Sequence, residues 1–430
     1  MDASEYARRR RRLMAAIGED AAAVIPGAAM QPRNRDVDYP FRQDSDFRYL
    51  TGFIEPDALA VLVPGRAAGA FVLFSRERDP VRETWEGRTI GQQAARETYG
   101  ADEAYTIDDM DAVIPRLLAG RTQLYGPLAE GDDWVQRLIA WGRQAAAGRS
   151  DGTAGAVMAL EPLIHAERRV KSDAEIACMR EAARISAAAH TRLMETLRPG
   201  MAEYEAEAEL LYDFRRHNGE PAYPTIVGGG ANACVLHYIA NAETLRDGDL
   251  VLIDAGMERD GYAADITRTV PVNGRFSAAQ RAVYDVVLAA QTAALEQVAP
   301  GASFNAPHEA ATRVLVAGLV SLGLLEGSVD ALIESGDHRR YFMHRTGHFL
   351  GMDVHDVGGY RVEGEWRVLE PGMVVTVEPG LYIPPGSPVA AQWQGIGVRI
   401  EDDCVVTATG HENLTAAVPK TIDAIEATMA

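Results

Sequence analysis

Cysteine is scarce in this chain: Cys178, Cys234 and Cys404 are the only three in 430 residues, and they are too widely spaced for a paired ligand motif. That pattern gives no support to a disulfide framework or a thiolate zinc centre, and it favours a reducing, cytoplasmic setting. Long apolar runs are missing as well. The longest, Val314 to Leu325, is too short to cross a bilayer and reads as a buried helix. Positive charge is in deficit, with 42 Lys and Arg against 62 Asp and Glu and a formal net charge of −20. Nucleic acid or an anionic membrane surface would be repelled at that charge, so neither is expected as a partner. A clean secretory signal is also lacking. Arg8 to Arg12 lead into a stretch interrupted by Glu19 and Asp20, which reads as a basic, solvated first helix.

What is present is an ordinary globular composition, 47% hydrophobic and 24% charged, with enough length for two or three domains. Residues 1–150 alternate strand-like and helix-like stretches and form an α/β domain. Within it, ALAVLVPG (Ala58 to Gly65) and GAFVLF (Gly69 to Phe74) read as two strands around a glycine-containing turn. The small, polar, glycine-punctuated segment from Trp141 to Ala156 marks the boundary, residues 151–171 form a linker, and residues 172–430 form the second domain. A long helix opens at Ser172, whose spacing to Glu175 is that of a capping box, and closes at Arg198-Pro199-Gly200.

The second domain repeats itself. LRDGDLVLIDAG (Leu245 to Gly256) and LEPGMVVTVEPG (Leu369 to Gly380) share Leu, a Gly three residues on, four apolar residues, a carboxylate and a final Gly. Upstream, LRPGMAEYEAEAELL (Leu197 to Leu211) is echoed by VAPGASFNAPHEAATRVL (Val298 to Leu315), in the same order relative to the strand pattern. Each acid at a strand end, Asp254 and Glu378, is followed by a second on another apolar segment, Asp265 and Glu401. The turn-rich GMERDG predicts a hairpin joining Asp254 to Asp265, and IPPGSPVAAQWQG a longer loop between Glu378 and Glu401. One such acid reads as a strand cap. Two pairs on buried strands need something to offset their desolvation, which points to two halves facing a shared cation site.

Histidines sharpen that reading. HRTGHFLGMDVHD carries His344, His348 and His355, with Gly347 and Gly351 weakening any helix, so the segment suits a cleft lining better than a core. One imidazole with four carboxylates is a mostly hard-oxygen donor set. It suits two divalent ions, Mn²⁺ foremost with Co²⁺, Zn²⁺ or Fe²⁺ as alternatives, and two ions about 4 Å apart serve hydrolysis.

These motifs resemble those of the pita-bread-fold metallopeptidases. HRTGHFLGMDVHDVGG, VEPGLY, GVRIEDD and the Asp254–Asp265 pair are similar to that group, and YPFRQDSDFRYLTGFIEPDA (Tyr39 to Ala58) resembles the N-terminal domain of the Xaa-Pro aminopeptidases (aminopeptidase P). With the ERRVKSDAEIACMREAARIS stretch, the resemblance spans nearly the whole chain. It implies an α/β N-terminal domain and an α+β pita-bread catalytic domain with an internal pseudo-two-fold duplication. It further implies an aminopeptidase that removes the residue preceding proline at a peptide N-terminus.

In that family pattern Asp254 holds one metal, Asp265 and Glu401 bridge both, and His348 and Glu378 complete the other. A metal-bridging hydroxide attacks the scissile carbonyl while Glu378 relays its proton. His237 and His355 position the peptide and stabilise the tetrahedral intermediate, and His344, Tyr382 and Arg399 surround the substrate. Trp85 matches a tryptophan that reaches a neighbouring subunit's site, which implies a homodimer or homotetramer. Two alternatives remain at this point: an Xaa-Pro dipeptidase (prolidase) on the same scaffold, and a peptide-binding module without catalysis. Read without the family, His237 is equally a tucked core histidine, Arg399 a local charge neutraliser, and Cys404 a small buried hydrophobe.

Overall fold

Continuously buried strands, Ala21–Pro26, Leu59–Leu62 and Phe71–Ser75, build the first of two compact units. The computed structural model describes residues 1–129, 131–147 and 155–430, and it divides into units of residues 1–168 and 169–430. The boundary expected between 150 and 151 lies outside the described residues. The first unit holds a six-stranded sheet in the order Glu103–Thr106, Phe71–Ser75, Leu59–Leu62, Ala21–Pro26, Gln123–Gly126, Ala156–Ala159. The two strands read from the sequence pair antiparallel, with Leu59 opposite Phe74 and Leu62 opposite Phe71. Fully buried residues such as Val24, Val61 and Phe74 form its core together with Trp141.

The first helix, Ala3–Ile17, is not solvated along all of its basic run. Arg9 and Arg10 are buried, and each caps a helix end elsewhere in the unit: Arg9 Nη1 donates to the Tyr49 carbonyl and Arg10 Nη1 to that of Leu50, both at 2.9 Å. Their guanidiniums also lie 4.0 Å over the Tyr49 and Phe71 rings. Composition alone does not distinguish a charge facing water from one satisfied by carbonyls and aromatic faces.

In the second unit the Ser172 capping box forms and starts helix Asp173–Thr196, which packs on Glu203–Arg216. Helix Ala278–Leu295 packs on Ala306–Ser321 in the same manner, and the buried stretch of Val314 to Leu325 contributes Leu315, Val316, Leu319, Leu324 and Leu325 to the core. Two three-stranded sheets accompany these helix pairs: Ile226–Gly229, Leu250–Asp254, Thr267–Pro271 in one, and Val374–Val377, Asp402–Val406, His411–Asn413 in the other. No helix among the described residues is long and apolar enough to cross a membrane.

The duplication is visible in matching hydrogen bonds. In the first half Gly200 N donates to the Leu245 carbonyl at 2.8 Å and Leu245 N to that of Met201 at 2.9 Å. In the second half Gly301 N donates to the Leu369 carbonyl at 2.9 Å and Leu369 N to that of Ala302 at 2.8 Å. The two sequence echoes are therefore the two sides of one contact, made once in each half. The glycine after each repeat leucine also turns the same way, Gly248 at φ 87° and Gly372 at φ 90°. Such left-handed backbone is what glycine permits at little cost.

Candidate metal centre

The strand ends converge. Asp254 is the last residue of strand Leu250–Asp254, paired antiparallel with Thr267, and Asp265 stands two residues before that partner. Glu378 directly follows strand Val374–Val377, whose terminal Val377 pairs with Asp402, and Glu401 directly precedes that partner. Short strands Met257–Arg259 and Tyr262–Ala263 make the hairpin expected between the two aspartates. Between the two glutamates, strands Gly380–Ile383 and Ile396–Arg399 pair across the longer loop.

The final glycine of each repeat has a steric reason. A Cβ on Gly256 would stand 1.7 Å from the Ala264 carbonyl oxygen, and one on Gly380 would stand 2.8 Å from that of Val398. The chain crosses itself there, which is what brings each second acid beside the first.

His348 closes the group. Its Nε2 lies 3.4 Å from Asp265 Oδ2 and 3.7 Å from Glu378 Oε1, while its Nδ1 faces the Phe349 carbonyl at 2.9 Å. A carbonyl accepts only, so Nδ1 carries a proton and Nε2 is the nitrogen turned to the carboxylates. Ligand atoms of Asp265, His348 and Glu401 all lie within 4.8 Å of one another. The four carboxylates and His348 line one cavity of about 1090 Å³.

The electrostatics fit a cation. Burial raises Asp254, aided by neighbouring Asp265 and opposed by Arg399. Burial and the surrounding carboxylates push Glu401 well above the usual range and Glu378 up to about 7. Burial pushes Asp265 up as well, but the hydrogen bond and charge of His348, the Tyr223 hydroxyl and the charge of Arg399 together outweigh it and leave Asp265 lowered. Burial disfavours the charge on His348, yet Asp265 and Glu378 raise it to about 9. A proton held on His348 between two carboxylates is charge compensation of the kind a divalent ion supplies. Tyr223 points the same way. Its hydroxyl lies 2.7 Å from Asp254 Oδ1 and 2.6 Å from Asp265 Oδ1, with one proton for two carboxylates.

Around this centre the structure places the other expected residues unequally. His344 Nδ1 faces the Arg345 carbonyl at 2.7 Å, so its Nε2 accepts from the Tyr382 hydroxyl at 2.8 Å. Burial, with Arg399 nearby, lowers His344 to about 4 and keeps it neutral. Tyr382 is buried beneath the cavity rather than on its wall, and it accepts from Arg399 Nη1 at 3.1 Å. Arg399 in turn donates through Nη2 to Asp254 Oδ2 at 2.5 Å. A hydrogen-bonded chain thus runs from His344 through Tyr382 and Arg399 to Asp254. His237 and His355 face the cavity, and the His355 ring packs 4.2 Å from that of His348. Trp85 belongs to the first unit, where it sits on helix Pro80–Glu86 and is 85% exposed.

Several supporting residues escaped the sequence reading. Thr267 Oγ1 donates to Glu401 Oε2 at 2.6 Å, and Arg268 Nη1 to the Glu401 carbonyl at 2.6 Å. Arg268 also pairs with fully buried Asp402 at 2.6 Å, and Asp403 Oδ2 accepts from Asp265 N at 3.0 Å. The signal was available: ITRT follows Asp265 directly, and Asp402 and Asp403 follow Glu401 within the GVRIEDD motif. Charged residues inside strand segments this apolar need partners. Tyr223 had no such signal.

Residues 177–408 match Metallopeptidase family M24, and residues 6–125 match the aminopeptidase P N-terminal domain. The chain belongs to metallopeptidase family M24. Its likeness to aminopeptidase P extends over the full length: it is 48% identical to the Xaa-Pro aminopeptidase of Escherichia coli, covering 99% of this chain and 97% of that protein. The structure of Pseudomonas aeruginosa aminopeptidase PepP superposes with a TM-score of 0.97 at 54% identity, covering 100% of this chain and 98% of that one. A zinc-substituted Escherichia coli aminopeptidase P in complex with product gives 0.95 at 47% identity, again covering 100% of this chain and 98% of that one. The fold is accordingly an aminopeptidase P N-terminal domain joined to a pita-bread catalytic domain. Family and donor cluster together imply divalent metal ions.

Proposed function

We propose that this chain is an Xaa-Pro aminopeptidase, removing the N-terminal residue from peptides with proline in second position at a dinuclear metal centre. The observation that carries this reading is the 48% identity with the Escherichia coli Xaa-Pro aminopeptidase over 99% of the chain, its N-terminal domain included. A prolidase reading draws no comparable support. Proline explains the need for a dedicated site, because its imide nitrogen has no N–H and its ring restricts the bond's presentation.

Asp254, Asp265, His348, Glu378 and Glu401 would hold two divalent ions. Their hard-oxygen character favours Mn²⁺. When bound, the ions supply Lewis acidity for a carbonyl oxygen and lower the pKa of water. Glu378 takes a proton at a carboxylate oxygen and passes it to the leaving proline nitrogen. His237 and His355 donate hydrogen bonds to the peptide carbonyl as it becomes tetrahedral. His344, Tyr382 and Arg399 orient Asp254 and the adjoining wall of the cavity.

The scarcity and wide spacing of Cys178, Cys234 and Cys404 support a reducing, cytoplasmic setting, and exposed Val81 and Trp85 on one short helix support a homodimer or homotetramer. The test is a peptide panel run with Mn²⁺ and with chelator. Xaa-Pro-Xaa peptides are cut with Mn²⁺, cutting stops with chelator, and Asp254→Ala and Glu401→Ala lose at least about a thousandfold in kcat. Cleavage of the dipeptide alone would make the chain a prolidase, and hydrolysis indifferent to chelator and to both substitutions would remove the metal centre from the reaction.

A further inference from the structure

Opposite charge stands in the same cavity as the carboxylates. Arg345 and Arg361 both line it, and the guanidinium carbon of each lies over the ring of Trp366, at 4.3 Å and 4.1 Å from its centre. The arrangement follows from a two-residue hairpin. Strands Arg361–Val362 and Glu365–Trp366 pair so that Arg361 is directly opposite Trp366, and the turn between them has Glu363 at φ 52° and Gly364 at φ 89°. Two successive positive φ values are those of a type I′ turn, which sets this register. Phe304 backs the indole at 6.3 Å between ring centres and is itself tilted against Tyr360 at 4.8 Å, so the platform is packed from behind.

Neither of these cations sits in a direct ion pair among the described residues. Among the described residues neither has a carboxylate within 4.0 Å, the limit for an ion pair. Arg345 donates to Asn305 Oδ1 and Arg361 to the Gly364 carbonyl, which leaves most of the five N–H groups on each guanidinium unused. They also repel each other: burial lowers Arg345 and the charge of Arg361 lowers it further, with Glu309 opposing the shift only in part. In a protein of net charge −20, whose cavity is already lined by five carboxylates, an arginine pair without a direct ion-pair partner is a feature that a ligand anion would complete.

We propose that Arg345, Trp366 and Arg361 form a carboxylate subsite, which reads a negative charge on the substrate beyond the scissile bond. This rests on the aminopeptidase reading above and deepens it. A peptide carries its ammonium at one end and its carboxylate at the other; the acid cluster and the arginine pair give the cavity the matching polarity. The carboxylate can be the free C-terminus of a short peptide or an acidic side chain, since both offer two oxygens to a guanidinium fork.

The test uses the Mn²⁺-loaded enzyme and two matched pairs of peptides: Ala-Pro-Ala as free acid and as amide, and Ala-Pro-Glu-amide with Ala-Pro-Gln-amide. The first pair reports a terminal carboxylate and the second a side-chain carboxylate. In at least one pair the acid is preferred about tenfold in kcat/KM, chiefly through KM. The preference shrinks as ionic strength rises. Arg361→Gln erases it, and Arg361→Lys, which keeps the charge but loses the fork, retains part of it. Arg361 is exposed on a surface hairpin, so both variants fold; unchanged melting temperatures check this. Equal cleavage of acid and neutral peptides by the unaltered enzyme, or a preference that survives both Arg361→Gln and Arg345→Gln, overturns the subsite and leaves the aminopeptidase reading standing. Failure to cut any of the four peptides overturns that reading and the subsite with it.

Discussion

Tyr223 shows how much a single hydroxyl controls at this centre. It contacts both Asp254 and Asp265, so it orients two carboxylates that the backbone brings together but does not aim. Tyr223→Phe keeps the ring and removes that restraint. Metal affinity or activity then falls about 10–100-fold, as is typical when a partner of a metal ligand is lost, and competition with a chelator measures it. His190 acts on stability instead. It is fully buried, its Nε2 donates to the Ala255 carbonyl at 2.9 Å, and its Nδ1 has no hydrogen-bond partner among the described residues. Burial lowers it to about 4 from the usual 6.5, so the folded chain holds it neutral. Its stabilising contribution is present above pH 6.5 and is lost as pH falls toward 4. Between pH 7 and pH 5 the loss is about 2 kcal/mol. Denaturant unfolding at the two pH values should show that share of the acid sensitivity missing from His190→Gln, which keeps the Nε2 donor.

The repeated strand pattern is the element on which the site depends. Its apolar core is ordinary; the acid and the glycine two residues later are what distinguish it. Because a Cβ at Gly256 would penetrate the Ala264 carbonyl, Gly256→Ala forces apart the segments that carry Asp254 and Asp265. A cost of about 3 kcal/mol is expected, the upper end for overpacking, and it should be accompanied by loss of bound metal. Chemical denaturation and metal analysis of the same preparation test both. An alanine that left metal content intact would mean the crossing does not set the spacing of the two acids. At this scale much was legible before any coordinates: the strand ends, the hairpin and the helix after Ser172 all follow from local pattern. The buried Arg9 and Arg10 were not, because their partners lie about forty residues away in the chain.

For the whole molecule, the site is a seam. Asp254 and Asp265 come from the first half of the catalytic unit, and His348, Glu378 and Glu401 from the second. Ions held by the proposed ligand set would link the halves and stabilise the folded state in proportion to their occupancy. At a thousand times its Kd, Mn²⁺ adds about 4 kcal/mol. Calorimetry should show a melting temperature that climbs with Mn²⁺ and drops with chelator, and the climb should be absent in Asp265→Ala. An unchanged melting temperature at saturating metal would separate metal binding from the joining of the halves.

Residue type and order alone determined the donor inventory, the duplication and the family, since an acid ending an apolar strand is costly wherever it occurs and two such pairs are hard to explain otherwise. Tertiary structure alone decided which partners aim those donors. Tyr223, Thr267 and Arg268 acquire their roles only when separate strands meet, and Tyr382 turns out to act from beneath the cavity. The arginine pair on Trp366 belongs to the same class. Arg345 and Arg361 are sixteen residues apart, and only a hairpin register places one ring under both. Long-range contacts of this kind carry no periodic trace in a sequence, because what selects them is the packing of distant surfaces rather than the pitch of a local helix or strand.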